Sequence, residues 1–183
     1  MIQVYIPATL AMLQQLVADG SVWPVNGTAF ALTPTLREAY AEGDDDELAE
    51  VALREAALAS LRLLAAQKED AVDDEGATGE GGAALKPRRA VLAAEVDLGE
   101  SGVKYRPDLD DAVVRLGAPV TLDQVVAAYV DNAAAEAAVL KAIEAIDAAD
   151  LGDEDADLVV GDALDHDLAW YANQELPFLL DLL

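Results

Sequence analysis

Apolar positions recur along this chain at two periods, and the switches between them mark its elements. Residues 2–6 set Val4, Tyr5 and Ile6 side by side. Both faces of that stretch read as buried, the pattern of an interior strand in a sheet covered on both sides. Pro7 has no N–H for a ladder and marks the strand's end. Leu10, Leu13, Leu16 and Val17 then fall at spacings of three and four, one face of a helix. Thr9 is placed to cap that helix and Asp19-Gly20 to stop it.

Asn26-Gly27 turns the chain into a second strand over 28–33. Pro34 suits a first helical turn, and Thr35-x-x-Glu38 has capping-box spacing for a short helix running to Glu42. After the break at Gly43, Asp44-x-x-Glu47 repeats that spacing, with Asp45 and Asp46 favourable against the helix dipole. The helix it opens runs to about Ala66. Leu48, Ala52, Ala59 and Leu63 line one face, widened by Leu53, Ala56, Leu61 and Leu64, so it is expected to be largely buried.

Residues 67–87 lose every apolar period and are rich in glycine and acid, the composition of a mobile loop. A third buried strand follows within 88–97, a connection over 99–111, and a fourth strand over 112–116, nearer an edge because Arg115 interrupts it. The stretch from Thr121 supports two readings. Thr121-x-x-Gln124 has capping-box spacing for a helix, while the β-branched and aromatic residues at 125–130 suit a strand. The preferred reading is a strand at 126–131 and a helix at 133–148. Residues 150–157 read as an acidic loop, 158–164 as helix or strand, 168–172 as a strand, and 174–182 as a helix with Pro177 near its start. The first and last strands, VYI and LAWYA, are expected to be interior and are candidates to lie side by side. The whole predicts an α/β fold: a single domain with a mixed, partly parallel sheet of about five or six strands, helices on both faces and right-handed crossovers.

Charge narrows the partners. The net charge of −25 over 183 residues offers no cationic stripe for nucleic acid phosphates or anionic lipid. It favours basic partners, or serves solubility alone. No apolar run reaches the length of a membrane span, and the N-terminal residues have no signal-peptide pattern, so the expected location is cytoplasmic. The absence of cysteine excludes disulfides, thiolate catalysis and iron–sulfur ligation, and a single histidine excludes a multi-histidine metal site within one chain.

Candidate chemistry is sparse. Asp153-x-Asp155-x-Asp157 offers alternate carboxylates, but an EF-hand would need glycine and glutamate where Leu158 and Leu164 stand. Asp165-His166-Asp167 sets carboxylates beside the one histidine, yet sequence neighbours point different ways and no nucleophile accompanies them. Glu80-Gly81-Gly82 is glycine-rich without a phosphate-loop fingerprint. Trp170 and Tyr171 are adjacent, so on a strand they face opposite sides, one inward and one exposed or against a partner. Tyr5, His166, Trp170 and Tyr171 are the candidate interaction surface; no catalytic, cofactor or metal residue is assigned.

At VYIPATLAMLQQLVADG, TAFALTPTLREAY and DHDLAWYANQELPFLL the chain resembles an uncharacterised actinobacterial family, a domain of unknown function. The resemblance spans nearly the whole chain and is most specific at its two ends. It implies an intracellular protein of one domain, with the acidic stretch at 70–85 longer than expected, and it brings no activity, cofactor or residue role. The expected function is that of a non-catalytic, acidic interaction or regulatory protein with a basic or apolar protein partner. The alternative is an enzyme or small-ligand binder whose pocket is assembled from scattered residues; a cleft where Tyr or Trp meets Arg, Asp or His166 would favour it, and a flat apolar patch would favour the first.

Overall fold

A computed structural model describes residues 1–40, 42–73, 86–99 and 102–182. In chain order its elements are β1 (Ile2–Ala8), α1 (Leu10–Asp19), β2 (Ser21–Val22), β3 (Thr28–Ala31), α2 (Pro34–Ala39), α3 (Asp45–Asp73), β4 (Ala90–Val96), β5 (Val103–Tyr105), β6 (Val113–Leu116), β7 (Val120–Thr121), β8 (Val125–Val130), α4 (Glu136–Asp150), α5 (Glu154–Leu164), β9 (Ala169–Ala172) and α6 (Leu176–Asp181). Seven strands form one sheet in the order β5-β6-β3-β1-β4-β8-β9, and β2 pairs with β7 in a small second sheet.

The mixed α/β class holds, but the expected partly parallel sheet of five or six strands does not. Every neighbouring pair in the seven-stranded sheet is antiparallel. The apolar runs that suggested parallel strands report burial on both faces, and burial does not fix direction. β3 and β4 both run antiparallel to β1, which lies between them. They are therefore parallel to one another, and the α2–α3 connection crosses over the slot that β1 fills. The first strand–helix–strand unit, expected to be a right-handed crossover, instead joins the antiparallel neighbours β1 and β3.

Side chains alternate across β1. Val4, Ile6 and Ala8 join Leu10, Leu13 and Leu16 of α1 and Leu176 and Leu179 of α6 in one cluster. Tyr5 points the other way, with Phe30, Val91 and Ala93, under Ala52 and Ala56 of α3. The 29 residues of α3 extend about 43 Å. Its first half lies on the sheet, and its second half carries Leu61, Leu64 and Ala65 into a third cluster with Val139 and Ile146 of α4 and Val160 of α5. Ser60 stands at the junction, fully buried. Its hydroxyl donates to the Ala8 carbonyl at 2.7 Å and accepts the Ala90 N–H at 3.0 Å, closing the end of the β1–β4 ladder.

Local signals differ in how far they hold. Thr9 accepts from the Met12 N–H, and Gly20 closes α1 at φ 80°. Pro7 lies within β1 opposite Val91, at a position that β3 does not pair. Thr33, not Thr35, caps α2, because its hydroxyl also reaches the Asp111 carbonyl. The Asp44/Glu47 box forms in both directions. Residues 67–73 of the expected loop continue α3; the rest, apart from 86 and 87, lies outside the described residues. The Thr121/Gln124 pair closes a turn between β7 and β8 instead of opening a helix. The 158–164 stretch is helical, and α5 begins inside the expected acidic loop because Asp153 caps it. β1 is interior, as expected, whereas β9 is an edge strand separated from β1 by β4 and β8.

Candidate functional site

A cleft of about 660 Å³ opens between α3 and the segment that links α5 to β9. Its α3 wall is Glu50, Leu53, Arg54, Glu55, Ala57 and Leu58; Arg89 and Tyr129 lie between, and residues 164–168 form the far wall. Leucine, alanine and tyrosine supply the apolar part of its lining, and the carboxylates, arginines and His166 a polar part of about equal extent.

Each wall is held by a specific interaction. Arg89 and Asp131 are 1% and 0% exposed. The Asp131 carboxylate accepts from Arg89 Nε and Nη2, both at 2.8 Å, and from the Arg89 backbone N–H at 2.9 Å. This two-pronged geometry suits a planar guanidinium and satisfies the buried charges. Arg89 Nη2 also donates to the His166 carbonyl at 2.8 Å, so the ion pair fixes the main chain of the cleft's far wall. On the near wall Arg54 pairs with Glu50 one helical turn away at 3.1 Å. Asp165 and Asp167 are exposed and form no ion pair among the described residues. The cleft therefore presents a half-apolar lining, with more carboxylates than cations around it.

The tyrosines under α3 are tuned by burial. Tyr5 and Tyr129 lie with ring centroids 6.5 Å apart. Burial raises the Tyr5 phenol above its usual range, and Tyr129 and Asp46 add to the effect. Burial alone raises Tyr129. On α3, burial raises the Glu55 carboxyl, with Asp110 adding and Arg62 opposing.

The four residues singled out from sequence separate into two groups. His166 lines the cleft. Trp170 pairs directly with Tyr129 across β8–β9, so both side chains project from the α3 side of the sheet, and Trp170 is 59% exposed beside the cleft. Tyr171 faces the opposite side, packed against the α1–α6 cluster. Tyr5, at 7% exposure, belongs to the core under α3. Asp153, Asp155 and Asp157 sit at the cap and first turn of α5, where the Asp153 carboxylate accepts the Ala156 N–H at 3.0 Å. Among the described residues no cluster of His, Asp and Glu is placed to hold a metal ion. Arg89, Asp131 and Tyr129 were not legible as one site: Arg89 and Asp131 are 42 positions apart, and only the β4–β8 pairing brings them together.

No curated protein and no solved structure matches the chain. A family model does, over residues 2–180, described as a family of unknown function, DUF6912. That match covers nearly the whole sequence, and the chain belongs to this family of unknown function.

Proposed function

We propose that the protein is a non-catalytic binding protein of the cytoplasm whose cleft receives a basic, partly apolar segment of another protein. The observation that carries this reading is the excess of carboxylates around a half-apolar cleft, set beside the exposed Trp170. Its arginines are already engaged, Arg89 by Asp131 and the His166 carbonyl and Arg54 by Glu50. A ligand therefore meets Leu53, Leu58, Leu168 and Tyr129 with the carboxylates of Asp165 and Asp167 at the mouth. Lysine and arginine side chains fit such a site, their stems on the apolar lining and their charges at the rim. Rim carboxylates act mainly on association rate and salt dependence, and a central aromatic anchor supplies affinity.

The cleft's volume also lies in the range of small-molecule sites, which favours a small organic cation as a second reading. One experiment separates the two. A photo-cross-linking amino acid is placed at Leu168 in the cleft and, as a control, at Leu140, exposed on α4. Capture of one basic protein from host lysate at position 168 and not at 140, lost on Asp165→Asn/Asp167→Asn, supports the protein-binding reading. Equal capture at both positions refutes it. No cross-link, together with a thermal shift from a cationic metabolite, moves the assignment to the small cation.

A further inference from the structure

The outer edge of the sheet next to the cleft suggests how a partner would be held. β9 ends the seven-stranded sheet. Among the described residues, the one hydrogen bond seen on its outer side is from the Ala172 N–H to Glu175 Oε2, at 2.9 Å. That bond shows Ala172 turned away from β8. The two-residue alternation of a strand then turns the Trp170 N–H and C=O outward as well.

The four residues AWYA are short for an edge strand but carry no lysine, proline or charge, the side-chain features that keep an edge from pairing. The opposite edge, β5, carries Lys104. The Trp170 side chain stands exposed on the cleft side of the same strand, the place for an anchor.

Charge selects the occupant. After Lys141 the sequence holds twelve carboxylates and no lysine or arginine. A second copy of this chain would bring the same charges to the same edge, and like charges face to face oppose pairing. A basic strand is complementary.

We propose that an extended basic segment of a partner protein adds to β9 as an eighth strand. Its main chain bonds to Trp170, and alternate side chains enter the cleft toward Asp165 and Asp167. This rests on the cleft's being a protein-binding site and adds the mode of binding: strand addition, in which main-chain bonds give affinity and pockets for alternate side chains give specificity.

The test uses the full chain and a defined probe. Heptapeptides with lysine at alternate positions and all residues between them are selected on the protein, alongside a matched set with glutamate. The best lysine peptide is then remade with each backbone amide N-methylated in turn. Strand addition predicts that methylation at alternate amides weakens binding on the order of tenfold and that methylation between them does not. Trp170→Pro removes the outward N–H, which edge positions tolerate, and should weaken binding beyond Trp170→Ala, with thermal unfolding confirming that both variants fold. A peptide indifferent to every N-methylation, yet lost on Asp165→Asn/Asp167→Asn, overturns strand addition and leaves the cleft reading standing. No lysine binder, or equal recovery from the glutamate set, overturns both. A dimer at low salt that Trp170→Pro abolishes overturns the choice of occupant.

Discussion

Replacing Asp131 with asparagine probes the interaction that shapes the cleft. The carboxylate is fully buried and accepts three hydrogen bonds from Arg89 at 2.8–2.9 Å. Asparagine keeps the volume but removes the charge, and its amide group replaces an acceptor with a donor that faces the guanidinium. The Arg89 cation is then buried without its counter-ion. Breaking a buried pair in this way costs about 3–5 kcal/mol, a large part of the roughly 5–15 kcal/mol that stabilises a domain. For a chain of this length the loss corresponds to a fall in Tm of about 6–20 °C. Urea unfolding followed by circular dichroism measures it, and an unchanged urea slope would show that the unfolded state is not the cause. The double variant Arg89→Met/Asp131→Leu should recover only part of the loss: an apolar pair needs no charge compensation, but the buried Arg89 backbone N–H and the His166 carbonyl lose their partners. A loss below about 1 kcal/mol for Asp131→Asn would refute the reasoning, because that is the value of an exposed pair.

Other expectations follow from single contacts. Ser60→Ala leaves the buried Ala90 N–H without its acceptor and should cost about 1–3 kcal/mol, read by the same urea titration. Glu55 has a raised carboxyl pKa in the fold, so its contribution to stability falls as pH rises from the unfolded value through the folded one. Glu55→Gln should therefore raise Tm at pH 7 and leave it unchanged at pH 3. Tyr5 and Tyr129, raised by burial, should ionise later than free tyrosine, and stability should fall with increasing pH above about 10; ultraviolet absorbance of the phenolates checks this. Gly27 has φ 69°, and a Cβ there would lie 2.9 Å from the Leu116 carbonyl oxygen. Gly27→Ala should accordingly lower Tm, whereas Ala145→Gly, on the half-buried side of α4, should cost only about 1 kcal/mol.

Elements with strong local causes were legible in the sequence. Thr9, Gly20 and the Asp44/Glu47 box act within a few residues of themselves, and each forms as the pattern implies. Strand direction was not legible, because an apolar run covered on both faces looks the same in parallel and antiparallel sheets. Nor was β5, three residues long inside what read as a connection, since so short a strand shows no period. The Thr33 cap, although a local bond from the Leu36 N–H, was missed because Thr35-x-x-Glu38 offers capping-box spacing two residues later. The candidate site was legible only in part. His166 and Trp170 stood out by rarity and by an aromatic pair, but the cleft they border depends on α3 and on the Arg89–Asp131 bond, which sheet pairing alone assembles.

Recognition is proposed to lie in the acidic rim and edge around residues 164–172. Backbone amide shifts of the isotope-labelled protein, followed as the lysine-alternating heptapeptide is added, test it most directly. Saturable shifts concentrated at residues 164–172, at 50–58 on α3 and at Tyr129 are expected. Shifts spread evenly over the acidic surface, such as α5 and the first turn of α3, and abolished by moderate salt, would contradict it.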